Sequence, residues 1–247
     1  MSEHNDADLL LVEDVGAVRV LTMNRPDKLN ALNTALTAAL HAALLAAQAE
    51  ENVRAIVLAG KGRAFCAGAD LAEFSELTPE NRELVTRRSH LTSRTHMLLQ
   101  EIPKPIVSAV QGAAAGGGAG LAIGCDMMVV ASNLKLVYPE LRHSIVPAVV
   151  MTSLQRQVSR KVAFEMLSLG KAVGADEAQA LGLANRVTAP GDELNGALEI
   201  AKGWAAANPQ AMAAAKRLFY RIADLPFDAA MEAGRQVNEA MRGFREK

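Results

Sequence analysis

Ala113-Ala-Ala-Gly-Gly-Gly-Ala-Gly-Leu-Ala-Ile-Gly-Cys-Asp126 is the stretch that decides how this chain is put together. It follows Lys104-Pro-Ile-Val-Ser-Ala-Val-Gln-Gly112, whose apolar centre reads as a short buried strand. From about Ala119 the small and apolar residues suit a helix. The glycines thus fall on a strand-to-helix turn, where unpaired N–H groups project and a helix dipole presents its positive end. With no side chains at Gly116, Gly117 and Gly118, a ligand can settle onto the backbone itself. This reads as a site of main-chain donors; close packing of helix on sheet is the other use of such residues. The glycine spacing makes a poor dinucleotide fingerprint, because no convincing βαβ unit with a ribose-binding acid accompanies it. No Gly-Lys-Ser/Thr follows, which excludes a P-loop.

Outward from this stretch, the pattern is mixed. Leu9 to Val12 and Ala17 to Met23 read as strands, and Asn24-Arg-Pro-Asp-Lys-Leu-Asn30 as a polar turn. Asn33 or Asn30 caps an Ala/Leu-rich helix that ends near Ala49. Val53 to Ala59 is a buried strand, and Gly60-Lys-Gly-Arg63 a turn. Pro79 to Gln100 reads as a helix with Leu84, Leu91 and Leu98 on its apolar side. Short strands are expected at Asp126–Ala131, Leu134–Val137 and Ala184–Val187, with helices at Ala148–Val158, Lys161–Leu169 and Asp176–Leu181. From Asp192 onward the chain reads as helices, with Asn208 capping the one that begins at Pro209. Residues 1–8 read as disordered. A loose strand-strand-helix recurrence suggests a spiral of similar units.

Composition narrows the function. The 247 residues suit one large domain, or a core with an appendage, and half of them are hydrophobic. The 26 Lys and Arg against 27 Asp and Glu leave a formal net charge of −1, and aromatics are only 4%. Neither nucleic acid nor an anionic membrane is called for. Cys66 and Cys125 form no metal-spaced pair and no disulfide framework. With a polar N-terminus that lacks signal-peptide character, this points to a cytoplasmic protein.

A second small-residue turn, Ala64-Phe-Cys-Ala-Gly-Ala-Asp-Leu71, follows the second buried strand. Together with the Gly116–Gly118 turn it could bring two N–H groups to one point, which is how an oxyanion hole is built. Cys66 within it has no base at hand and reads as packing. Asp70 and Asp126 read as turn residues held by local hydrogen bonds. No cluster of His, Cys or carboxylates looks like a metal site.

In combination, Asn24-Arg-Pro…Asn30-Ala-Leu, Gly60-Lys-Gly-Arg-Ala-Phe-Cys-Ala-Gly-Ala-Asp-Leu71, the Lys104–Gly112 strand with its glycine run, Cys125-Asp126 and Pro139-Glu140 resemble the crotonase superfamily of enoyl-CoA hydratases and isomerases. The resemblance spans about residues 9–190. It implies an α/β fold, a spiral of ββα units over residues 1–190, with a helical region over 191–247 that builds a trimer, often stacked into a hexamer. It implies an acyl-CoA thioester as substrate, with no cofactor beyond the CoA moiety and no metal. The oxyanion donors would be the N–H groups of Ala69 and Gly117, and the base Glu140. The CoA would run past Lys28, Leu29, Ala67, Ala69, Asp70, Leu71 and Gly117, with Arg25, Lys28 and Arg63 as candidates for its phosphates.

Four departures from the family pattern bear on the reaction and on CoA binding. Hydratases resemble one another in having a second glutamate three residues after the oxyanion glycine; here that position is Gly120. Their Gly-rich stretch after the proline is Ala148-Val-Val-Met-Thr152 here, and their lysine two positions after the turn aspartate is Ala72. A Phe- and Lys-rich segment common at the family's end is reduced to Met241-Arg-Gly-Phe-Arg-Glu-Lys247, which puts the adenine contacts in question. One carboxylate can take a proton from C2 and return it at C4, whereas hydration is most easily shared by two. The resemblance with these departures therefore favours a Δ3 to Δ2 double-bond isomerase. Hydration of a 2-enoyl-CoA, or acyl-CoA binding without turnover, are the alternatives. Val137, Tyr138, Leu141, Ile145 and Val149 are expected to give Glu140 apolar surroundings. His143 reads first as a loop histidine, and His90 and His96 as residues of a solvated helix face.

Overall fold

In a computed structural model, residues 9–244 are described, except for the side chains at positions 74 and 75. Residues 1–8, read above as disordered, lie outside the described residues, as does the Arg245-Glu-Lys247 end.

The first hairpin is β1 (Leu10–Val15) and β2 (Val18–Met23), paired antiparallel from Leu10↔Met23 to Val15↔Val18. Three parallel strands then extend the sheet: β3 (Ala55–Gly60), β4 (Ile106–Val110) and β6 (Met127–Ala131). β8 (Arg186–Thr188) completes the order β1-β2-β3-β4-β6-β8. β3 and β4 are buried along their whole length, as expected for parallel strands covered on both faces.

Their alternation sorts side chains between two cores. Leu21, Met23, Ile56, Leu58, Ile106 and Val110 face one side, where α1 (Thr34–Ala49), α2 (Arg82–Glu101) and α3 (Gly117–Gly124) pack. Val18, Val20, Ala55, Val57, Ala59 and Val107 face the other, covered by Ala197, Ile200 and Ala201 of α7 (Glu193–Ala205). Asn33 caps α1 by accepting the Leu36 N–H at 2.9 Å, and Asn208 caps α8 (Pro209–Ile222) by accepting from Gln210 and Ala211.

A strand the sequence does not announce, β5 (Ala113–Ala115), pairs in parallel with β7 (Lys135–Val137). Three alanines have little strand propensity. Pairing on both sides imposes the conformation, because Cys66 also bridges Ala114. The following helix starts at Gly117 rather than Ala119, so two glycines occupy its first turn. The remaining helices are α4 (Val150–Gln157), α5 (Arg160–Leu169), α6 (Ala175–Ala180) and α9 (Phe227–Ala240). Among the described residues, no helix is long and apolar enough to cross a membrane.

Asp126 is not held by local bonds. Its carboxylate accepts the Ile106 N–H at 2.6 Å, the Lys216 ammonium at 2.7 Å and the Tyr220 hydroxyl at 2.8 Å. Lys216 is 6% exposed and also donates to the Leu99 and Lys104 carbonyls. This network fastens α8 to the sheet, a contact some ninety positions away that no local pattern could show.

Candidate active site

The two small-residue turns meet through their backbones. Cys66 donates to the Ala113 carbonyl at 3.1 Å, and Ala115 donates back to the Cys66 carbonyl at 2.9 Å. Gly118 permits the contact, since a Cβ there would lie 2.5–2.7 Å from the Cys66 carbonyl oxygen, Cβ and Sγ. Burial pushes the Cys66 thiol up to about 12, so it stays a thiol and serves as packing.

Ala69 is aimed by Leu32. In this isolated parallel bridge, Leu32 donates to the Gly68 carbonyl at 2.7 Å and accepts from Asp70 at 3.1 Å. The ladder engages the residues on either side of Ala69 and turns Ala69's own N–H away from Leu32. Among the described residues, neither that N–H nor the N–H of Gly117 at the first position of α3 has a hydrogen-bond acceptor. Both residues line one cavity of about 110 Å³, together with Ala67, Leu71, Glu140 and His143. Such a pair can hold an oxygen that gains negative charge.

Glu140, on a 3-10 turn over Glu140–His143, lines the same cavity. A Cβ on Gly116, whose φ is +48°, would sit 2.8 Å from Glu140 Oε1. The other oxygen, Oε2, is buried without a hydrogen-bond partner among the described residues. Burial raises the Glu140 pKa above the ordinary carboxylate value; a hydrogen bond from its own backbone and the charge of His143 pull it part of the way back. A half-buried carboxylate with an unused oxygen is equipped to accept a proton.

The residues expected around Glu140 divide. Ile145 lines the cavity and Tyr138 is fully buried. The Tyr138 hydroxyl has no partner among the described residues, and burial, then the Glu140 charge, raises its pKa. Leu141 is instead exposed, because the 3-10 turn points it outward. Val149 lines a separate groove between α2 and α4. His143 is exposed as expected, yet it also lines the cavity.

His96 departs from its reading as a solvated residue. It is half-buried, and burial, with the Arg88 charge second, lowers its pKa to about 4, so the ring is neutral at pH 7. A Cβ on Gly120 would meet Val150 Cγ1 at 2.6 Å and His96 Cε1 at 2.9 Å. Val150 and His96 therefore fill the space a side chain at position 120 would need.

Of the expected CoA-binding residues, Ala67, Ala69, Leu71 and Gly117 line the cavity. Leu29 is adjacent through the Ala67 N–H, which its carbonyl accepts at 2.9 Å, and Lys28 is exposed beside it. Asp70 is paired with Arg25 at 2.9 Å. That pairing, with a bond from Arg25 to the Ala31 carbonyl, turns Arg25 inward rather than toward a phosphate. Arg63 is exposed.

Sequence reasoning missed two supports. Asn30 is fully buried; its amide donates to the carbonyls of Lys61, Ala64 and Phe65 at 2.9–3.1 Å and accepts the Arg25 N–H. It ties the first turn to the second. Arg88 of α2 donates to the Leu32 carbonyl at 2.9 Å and pairs with Glu73 at 3.6 Å. Asn30 stood inside a motif used for the resemblance, so a signal existed. Arg88 carried none.

Comparison with known proteins gives the family. A family model described as enoyl-CoA hydratase/isomerase matches residues 13–243. A protein of Thermus thermophilus named putative enoyl-CoA hydratase is 37% identical over 243 residues, covering 94% of this chain and 96% of its own. The solved structure of an enoyl-CoA hydratase from Mycobacterium smegmatis superposes with a TM-score of 0.88 at 35% identity, covering 94% of this chain and 91% of that one. A putative enoyl-CoA hydratase from Streptomyces coelicolor gives 0.90 at 31% identity, covering 98% and 89%. The chain belongs to the enoyl-CoA hydratase/isomerase family. It is an enzyme of that family, with the crotonase-type α/β fold expected from its motifs.

Proposed function

We propose that the protein moves the double bond of a 3-enoyl-CoA to the Δ2 position. The ionised Glu140 takes a proton from C2. The electron pair left behind delocalises onto the thioester oxygen, which the Ala69 and Gly117 N–H groups hold as an enolate. The double bond then re-forms between C2 and C3 as Glu140 returns the proton to C4. Losing one such donor typically costs roughly 2.7–4 kcal/mol of barrier. The reaction so written needs no cofactor beyond the CoA of the substrate. That CoA would lie along Lys28, Leu29, Ala67, Asp70 and Leu71.

The observation that carries this reading is the lone carboxylate. Glu140 shares the cavity with two free N–H groups, while Val150 and His96 fill the space beside Gly120. Little room is left there for a second acid or for an ordered water. Hydration is the second reading, favoured by the names of the three relatives above. Purified protein should convert 3-enoyl-CoA to 2-enoyl-CoA and leave 2-enoyl-CoA unhydrated. Glu140→Gln should reduce the rate by about 10²–10⁴, the usual worth of a positioned acid–base group. Rapid hydration of 2-enoyl-CoA would replace this proposal with the second reading. No turnover of either substrate, with CoA thioesters still bound, would leave a binding protein. We further propose a homo-oligomer, a trimer or dimer of trimers, supported by the exposed Phe219, Phe227 and Met231 on α8 and α9; sedimentation velocity tests it.

A further inference from the structure

The Ala69 N–H shares a peptide group with the Gly68 carbonyl, and that carbonyl accepts the Leu32 N–H at 2.7 Å. The Leu32 N–H in turn shares a peptide group with the Ala31 carbonyl, and that carbonyl accepts the Arg25 guanidinium. Two peptide groups therefore stand in series between a cation and the cavity. Asp70 holds the guanidinium in place at 2.9 Å, with both side chains only 15% exposed. The Arg25 backbone is also fixed, its N–H donating to Asn30 Oδ1 at 2.9 Å and its carbonyl accepting the Asn30 N–H at 2.9 Å.

We infer that Arg25 is a positioning residue that makes the Ala69 N–H a stronger donor, acting through the Ala31–Leu32 and Gly68–Ala69 peptide groups. A hydrogen bond accepted at a peptide oxygen draws electron density from the nitrogen of the same group. Its N–H becomes more positive, and a chain of such bonds compounds the effect by about 10–30% per bond. A cationic donor at the head strengthens the first link. Gly117 needs no such chain, because α3 aligns its own peptide dipoles behind it. The inference rests on the reading that Ala69 meets the thioester oxygen, and it assigns the source of that donor's strength.

The test uses full-length protein and butyryl-CoA, a saturated thioester that cannot isomerise, carrying ¹³C at its carbonyl. In the wild type the carbonyl stretch of the bound thioester should fall below its value in water. In Arg25→Gln the fall should shrink, and Arg25→Lys, which keeps a cation, should recover part of it. With a 3-enoyl-CoA, kcat of Arg25→Gln should drop about tenfold, equal to a barrier change of about 1.36 kcal/mol, with KM little changed. A merely structural role would lower the melting temperature and leave the carbonyl frequency alone. An equal frequency in wild type and Arg25→Gln would overturn the inference. If neither variant folds, ¹⁵N-leucine labelling of the wild type decides it: the Leu32 amide proton should move downfield when butyryl-CoA binds, and an unmoved resonance would overturn it. If no enoyl-CoA is turned over, the isomerase reading fails while the frequency comparison still judges Arg25. Absence of any butyryl-CoA binding would overturn both.

Discussion

The two turns that meet at the cavity are built by opposite means. The Gly116–Gly118 turn begins a helix, so the open N–H of Gly117 comes with the element and needs no outside help. The turn through Ala69 is irregular, and its shape is borrowed. Leu32 pairs with it, Arg25 holds Asp70, Asn30 grips the segment that leads into it, and Arg88 braces Leu32 from behind. A site that needs two donors at one point can take one from regular structure. The second must be set by contacts from distant parts of the chain.

Altering each turn separately would sharpen this contrast. The largest effect should come at the helix start. Gly116→Ala introduces a side chain at φ +48° and drives its Cβ to 2.8 Å from Glu140 Oε1. Steady-state assays should show a loss on the order of a hundredfold, the scale of losing one donor. Gly117→Ala should do much less. Its Cβ would meet the end of the Leu32 side chain, at 3.2 Å, so activity should be more sensitive at Gly116 than at Gly117. Equal losses at the two positions would break the comparison.

Next comes the borrowed turn. Asn30→Ala removes the partner of three carbonyls, two of them reached through fully buried bonds. Each buried group left unsatisfied costs roughly 1–3 kcal/mol. Urea unfolding should report a loss at least that large. A smaller one would mean that the turn holds its own shape.

A subtler difference concerns pH. His96, against the first turn of α3, has its pKa lowered from 6.5 to about 4. The unfolded chain therefore binds more protons between those values, and stability should fall as pH falls from 6.5 toward 4. Replacing His96 with Gln should flatten that part of the melting-temperature profile. An unchanged slope would show that the ring is freely solvated in solution.

The smallest effect is expected at His143, whose charge lowers the Glu140 pKa. As the proposed base, Glu140 must be ionised, so kcat/KM should fall as pH drops through its raised value. Removing His143 raises that value further, so the acid limb of His143→Ala should lie at higher pH than that of the wild type. A limb that stays in place would exclude contact between the two charges.

Much of the fold was legible because its signals are local. The β3 and β4 runs, the Asn33 and Asn208 caps and the glycine-rich turn each depend on neighbours in the chain. Ala69, Gly117 and Glu140 were picked out by motif resemblance, and the structure lines one cavity with all three. What the sequence misread has a common cause. His96 looked solvated because Gly120 and Val150, which surround it, lie far along the chain. Asp126 looked like a turn residue because Lys216 and Tyr220 arrive from α8. Arg25 looked like a free cation because its partners, Asp70 and the Ala31 carbonyl, come close only after folding.

By itself, the order of residues determined most of the strands and helices, where a backbone-lined turn must occur, and that position 120 carries no acid. Those properties follow from dihedral preference, side-chain period and the plain identity of a residue. Only the tertiary structure decided that β5 exists, that Val150 and His96 occupy the space beside Gly120, and that a guanidinium stands two peptide groups behind Ala69. Each of these depends on burial and on hydrogen bonds between segments tens of residues apart, whose energies are defined only once the chain has closed on itself.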